Sequence, residues 1–473
     1  MEEDNFDFSS DNEAFEAVQK FEAMKKNNTS CFFDVIEFES IIDYYIERAN
    51  YTRAYEAASL ASQQHPNSIP IQLRKARVLI DRGRAVEAMS ILKKIEQIEP
   101  GNYEIYIAKG TAFGILGDIN RAKKMFDYAL SLESDDEEES SDILFSIVSV
   151  LQNLNYYEQS IPYLKRLIEI EPSCSSHLYD MAYAYERIED YDNSIKYYLL
   201  YLDEEPYSDN AWYNLGIIYN KKGEYDKAIE AYDFSLAIND QNAFAIFNKA
   251  NICWYLERYN DAVQLYLEYL EHEPNNYEAM TYLAESYERV GDDEKAKEYY
   301  NQAIDSNPDF PESWYGLGVI AYNNNEADLC VKYLLVATSK DPENSEYWYL
   351  LGKAFLLKHE PKKALRCYKK GLELDIYFDA IWADMGKLFI DENVVERAIP
   401  YIKQSIKISG DVPGANYLLA SLYNYLHDEK NTLFFLRHAL EMDKEGYDAY
   451  SVFFGIDKTS TSVVSLLKEY NLI

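Results

Sequence analysis

Gly316-Leu317-Gly318 followed by Ala321 has the spacing of a G-x-G-x-x-A turn, where small residues let backbone amides approach a pyrophosphate. That chemistry needs a strand before the turn and a helix opening on it. Here both glycines fall in the middle of a helical pattern, so close packing is the expected role. The six histidines, His65, His177, His272, His359, His427 and His438, contain no H-x₃-H or H-E-x-x-H pair that would set two imidazoles on one helix face. No G-x-S-x-G elbow offers a serine nucleophile, and no G-x-x-x-x-G-K-[ST] loop offers a phosphate cradle. Carboxylate pairs such as Glu285 and Glu288 could share a proton, but with 82 acidic residues such pairs arise by chance. Cys330 stands where comparable stretches carry Ala, which reads as core filler and not as a nucleophile. The sequence points away from an enzyme and predicts neither metal nor cofactor.

What remains is surface. Acidic residues outnumber Lys and Arg by 82 to 46, a formal charge of −36. Such a surface repels nucleic-acid backbones and anionic lipid headgroups, and it attracts cationic segments of other proteins. Cys31, Cys174, Cys253, Cys330 and Cys367 are scattered singly, so reduced thiols and a cytoplasmic location are expected. The opening MEEDNFDFSSDNEAFEAV lacks the apolar core of a signal peptide, and no apolar run approaches the ~18 residues of a spanning helix.

The elements come from a repeat. The stretch DNAWYNLGIIYNKKGEYDKAIEAYDFSLAINDQN at 209–242 recurs with a period of 34 residues. Repeats begin at 35, 69 and 103 and, after a four-residue slip, at 141, 175, 209, 243, 277, 311, 345, 379 and 413. The eighth position is Gly or Ala in ten of the twelve, as in Gly110, Gly216 and Gly352. The twentieth is always small, as in Ala54, Ala228 and Cys330. Aromatic residues recur at the eleventh position (Tyr45, Phe113, Tyr185, Tyr219) and the twenty-fourth (Phe126, Tyr198, Tyr232, Tyr266). Small residues let two helices approach, and the rings fill the space between. Prolines from Pro66 to Pro342 recur at the thirty-second position and close one repeat before the next. Gly83, Gly117, Gly223 and Gly291, at the fifteenth, mark a turn between two helices.

The W-x-x-L-G-x-x-Y of Trp212, Leu215, Gly216 and Tyr219, followed by Ala228 and Tyr232, resembles the tetratricopeptide repeat family. The resemblance covers residues 35–446. It implies an all-α solenoid, a right-handed superhelix of stacked antiparallel helix pairs, whose first helices line a concave groove. The family's groove positions, carried onto this sequence, give an aromatic ladder: Phe145, Tyr179, Tyr183, Tyr213, Phe247, Trp254, Tyr315, Tyr322, Tyr349 and Tyr417. Acids outnumber bases on that face, most clearly around repeats one and eight, with Glu39, Asp43, Glu278, Glu285 and Glu288. The Lys clamp of chaperone-binding members is not found, because no fifth position carries Lys.

The expected organisation is an acidic N-terminal segment at 1–34, with residues 1–11 unstructured and a capping helix from 12 to 27 that uses Phe15, Val18, Phe21 and Met24. Repeats one to three follow at 35–136, an acidic insertion at 137–140, repeats four to twelve at 141–446, and C-terminal capping helices at 447–473. The function implied is a non-enzymatic scaffold or adaptor holding peptide segments or partner proteins, a basic segment among them. A regulatory subunit of one enzyme and a self-assembling solenoid are the alternatives. Nucleic acid and membrane are not expected partners.

Overall fold

A computed structural model of the chain describes residues 8–132, 137–454 and 460–473. Among these residues there are 26 α-helices, one 3₁₀ helix and no strand: an all-α solenoid of stacked helix pairs. Asp135 and Asp136, just before the insertion expected at 137–140, lie outside the described residues, as do residues 1–7. By contact the chain divides into two bodies, Met1–Asp240 and Gln241–Ile473, a division at the end of repeat six and not at the acidic run.

The N-terminal body opens with the helix Phe8–Asn27, so the segment from residue 8 onward is helical where an unstructured tail was expected. Val18, Phe21 and Met24 are buried with Phe33, Phe38 and Tyr45, and the Tyr45 hydroxyl donates to Glu22. Phe15 is 50% exposed and takes no part in that packing. Six helix pairs follow, from Val35–Glu47 with Tyr51–Gln64 to Asp209–Lys221 with Tyr225–Ile238. The four extra residues form no separate loop: Glu137 to Ser140 are the first turn of the helix Glu137–Asn153.

Most pairs set a small eighth residue against a large twenty-fourth; repeat one reverses the sizes, with Ile42 and Ala58 at those positions. A Cβ added to Gly216 would lie 2.5 Å from Cε1 of Tyr232, and one on Gly110 would lie 2.2 Å from Phe126. The partner rings are fully buried. At the fifteenth position every one of the twelve repeats has a left-handed residue. Four are the expected glycines; the other eight are Ala49, Asn155, Glu189, Glu257, Asn325, His359, Asn393 and His427. The turn geometry is thus fixed by the helix pair, and glycine is only its easiest occupant. A second device ties successive repeats. At the fourth position Trp212 donates its indole N–H to the carbonyl of Pro206, six residues back in the preceding repeat, at 3.0 Å. Tyr106 does the same to Pro100 with its hydroxyl.

The C-terminal body carries six pairs, from Ala243–Tyr255 with Tyr259–His272 to Pro413–Tyr425 with Glu429–Met442, then a 3₁₀ helix Glu445–Phe453 and a last helix Thr461–Glu469. The Gly–ring lock recurs at Gly352 and Tyr368, 2.4 Å, and the indole bond recurs at Trp314, Trp348 and Trp382. Repeat eleven departs from the rule. Gly386 faces Leu418 and Phe453 instead of a ring of its own second helix. Its first helix, Asp379–Asp391, packs mainly on the first helix of repeat twelve, and the 3₁₀ helix closes over both. Tyr447, Tyr450 and Phe454 are buried there, with the Tyr450 hydroxyl bonded to the Asp379 carbonyl at 3.1 Å.

Candidate functional site

The ladder residues sit on first helices, whose small eighth residues bring the second helix close behind them. In the N-terminal body Phe145 is 52% exposed. Tyr179 is half-buried, edge-on to Tyr198 and Tyr201, and its oxygen accepts from Asn214 Nδ2 at 2.8 Å. Tyr183 lies 5.7 Å from Tyr157, and Tyr213 5.9 Å from Tyr232. In the C-terminal body Phe247 packs among Tyr266, Tyr269 and Tyr282. Trp254 is half-buried, and its indole N–H is enclosed without a hydrogen-bond partner. Tyr315 stacks on Tyr347 at 4.8 Å. Tyr322 and Tyr349 share the ammonium of Lys353, at 5.0 and 5.3 Å.

Tyr417 does not belong with them. It is fully buried, donates to the Asp443 carbonyl at 2.6 Å and stacks on Tyr450 at 4.8 Å. The C-terminal 3₁₀ helix covers the face that repeat spacing alone would leave open, so this ring is core. The other nine keep part of the ring accessible.

Charge divides the face unevenly. Around repeat one the acids are already matched: Arg74 reaches Glu39 and Asp43, both at 3.0 Å. Glu186 is met by Lys221 at 3.2 Å. In repeats eight to ten the picture differs. Among the described residues Glu285, Glu288, Glu312 and Glu346 form no ion pair, and one Glu312 carboxylate oxygen is enclosed with no hydrogen-bond partner. Burial pushes the Glu285 carboxyl up to about 7, with Glu288 adding to the shift and Arg289 opposing it. Glu288 is also raised, first by burial, against a hydrogen bond from the Tyr300 hydroxyl at 3.3 Å. Tyr282, Tyr315 and Tyr347 sit beside these acids: burial raises all three phenols, and the glutamates push them further. Tyr282 and Tyr347 occupy the sixth and third positions of their repeats, which spacing did not assign to the ladder. Their signal in the sequence is only that they are aromatic next to acids.

Cys330 and Cys367 are buried, and burial lifts both thiols to about 12, far from the thiolate form a nucleophile needs. Gly316 and Gly318 lie mid-helix, where an added Cβ would meet Tyr300 at 2.1 Å and Leu334 at 2.7 Å, so they pack helices and bind no phosphate. What the cluster can do is accept a cation and stack an apolar or guanidinium surface against tyrosine. Among the described residues no helix is long and apolar enough to cross a membrane.

Sequence profiles described as tetratricopeptide repeat match residues 45–111, 103–136, 145–209, 210–242, 265–298, 289–354 and 345–375, together more than half of the chain. A curated relative, Protein CTR9 homolog of Arabidopsis thaliana, is 23% identical over 289 residues, 59% of this chain. The chain spans about a quarter of that relative's length, 26%. Among solved structures, MamA is 21% identical over 35% of this chain and 91% of its own, with a TM-score of 0.33. YrrB, described as a TPR protein with an unusual peptide-binding site, is 19% identical over 38% of this chain and 93% of its own, TM-score 0.33. The pilF protein of Pseudomonas aeruginosa is 17% identical over 43% and 93%, TM-score 0.37.

Proposed function

The chain belongs to the tetratricopeptide repeat family, whose members are typically non-catalytic protein-interaction scaffolds, and on that premise we propose that repeats eight to ten hold a cationic segment of a partner protein. The observation that carries this reading is the set of unmatched carboxylates, Glu285, Glu288, Glu312 and Glu346, framed by Tyr282, Tyr315 and Tyr347. Elsewhere on the corresponding face, Arg74 and Lys221 already serve the acids. A Lys or Arg side chain entering here supplies the counter-charge that the buried Glu285 and Glu288 lack, and the rings contribute apolar and cation–π contact. Proton and ligand then compete, so binding tightens as pH rises through about 7, where Glu285 loses its proton.

Fluorescence anisotropy with two labelled peptides tests this, one alternating Lys with Phe and the other alternating Glu with Phe. The basic peptide should bind and the acidic one should not. Leaving a bound charge without its partner typically costs about 2 kcal/mol or more, so Glu285→Gln with Glu288→Gln should weaken binding about thirtyfold. Equal affinity for both peptides, or indifference to the double substitution, would overturn the reading.

A further inference from the structure

Between repeats four and five the chain reads Glu171-Pro-Ser-Cys174-Ser-Ser-His177. Two of its residues are uncommon at their positions. Cys174 is the N-cap of the helix Ser175–Arg187 and makes no side-chain capping bond. At six other repeat starts this position holds Asp, Asn or Ser whose side chain accepts a backbone N–H, as Asn102 and Ser208 do, whereas Ser68, Phe310, Phe378 and Val412 make no such bond. His177 takes the third position, where other repeats bury Ile or Ala, for example Ile71, Ile105 and Ala211. It is only 4% exposed, with Nδ1 enclosed and unpartnered and Nε2 3.2 Å from Glu171 Oε2. An uncapped helix start and a buried imidazole whose Nε2 faces Glu171 occur three residues apart at one spot. Departures from local rules concentrate where a chain does something besides fold.

We propose that Glu171, Cys174 and His177 form a three-ligand site for Zn²⁺ or a chemically similar borderline divalent cation. One donor atom from each lies within 4.8 Å of the other two. For bonds of about 2.0 Å, the edge of a tetrahedron between nitrogen and oxygen ligands is about 3.3 Å, and with a thiolate at about 2.3 Å its sulfur edges are about 3.5 Å. The imidazole and carboxylate are already at that edge, 3.2 Å apart. Cys174 Sγ, now 3.2 Å from Ser176 Oγ, has at most little more than about 1 Å to close, within reach of a side-chain rotation. Ser141 donates to the other oxygen of Glu171 and so aims the carboxylate, as outer partners of metal ligands commonly do.

Thiolate with imidazole selects Zn²⁺ over Mg²⁺ or Ca²⁺, which prefer oxygen alone. One thiolate and one carboxylate neutralise the charge of the ion. Glu171 and Cys174 are both partly exposed, so the fourth coordination position opens to solvent.

Co²⁺ is a probe with a spectroscopic signature. The full chain should take up one equivalent, with the near-ultraviolet charge-transfer band of a cobalt–thiolate bond, and Zn²⁺ should displace it. Cys174→Ser, which substitutes a good capping residue and so preserves the helix, should abolish the band and weaken binding at least about tenfold. His177→Ala should weaken binding similarly, and Cys31→Ser should change neither. A band that survives Cys174→Ser would overturn the site. So would uptake that is weak, without a band and unaffected by His177→Ala, since the carboxylate-rich surface alone would account for it.

Discussion

Glu285→Gln isolates the electrostatic strain of repeat eight. The substitution keeps the size of the side chain and removes its charge. In the folded chain Glu285 holds its proton up to about pH 7, against an ordinary 4.5. The folded state therefore binds that proton more tightly than the unfolded state, and stability is lost as pH rises through this window. A difference of about 2.5 in pKa corresponds to about 3 kcal/mol above pH 7, of which under about 1 kcal/mol is already lost at pH 5. The glutamine pays neither part. Urea unfolding of both proteins at pH 5 and pH 8, followed by circular dichroism, should show the variant gaining about 2 kcal/mol at pH 8 relative to its effect at pH 5. The comparison is a difference of differences, so changes common to both proteins cancel. Equal effects at the two pH values, or a variant weakened at pH 8, would show that Glu285 is solvated or already matched by a cation. The proposed binding face would then lose its main support.

Four further substitutions test the packing and the turns. Gly216→Leu should lower stability by about 1–3 kcal/mol in thermal or urea unfolding, because its Cβ alone would lie 2.5 Å from Tyr232. Gly216→Ala should cost less, since Ala182 and Ala250 already stand opposite Tyr198 and Tyr266. Glu257→Gly should raise stability by about 1 kcal/mol by relieving a left-handed residue at φ 59°, and no gain would mean the turn is held by contacts of the glutamate. Tyr417→Ala should cost about 3–5 kcal/mol as a core cavity while leaving the basic peptide's affinity unchanged; the reverse pattern would return this ring to the binding face.

The period of 34 residues carried the fold into view, because it repeats every helix boundary twelve times. The lock between positions eight and twenty-four was equally visible as small residues against rings. The left-handed turn showed at only four glycines, since Glu189 or His359 gives no hint of its backbone angle. Tyr417 was misplaced because the lid over it comes from residues 445–453, outside the repeat pattern. Charge was legible as a total but not as pairs. Arg74 lies at a sixth position, off the expected face, yet its long side chain reaches two acids of the preceding repeat. Glu171, Cys174 and His177 carry no metal-ligand spacing in the sequence: they are one of many acids, a scattered cysteine and a histidine without a partner of its own kind.

The two devices that hold the helices differ in what they demand of their neighbours. The contact of Gly216 with Tyr232, like that of Gly352 with Tyr368, sets a bare backbone against a specific ring and begins and ends inside one repeat. The bonds from Trp212, Trp314 and Trp348 pass between repeats, but each asks only for a main-chain carbonyl, which every sequence supplies. A copying event that duplicated or deleted 34 residues would therefore carry each such pair along intact and rejoin ends that still find a carbonyl, while side-chain contacts across the joint, such as Arg74 with Glu39 or Tyr315 with Tyr347, would have to be matched anew between one repeat and the next. The last two repeats, where Gly386 meets Leu418 of the next repeat and Phe453 beyond it, could be inherited only together.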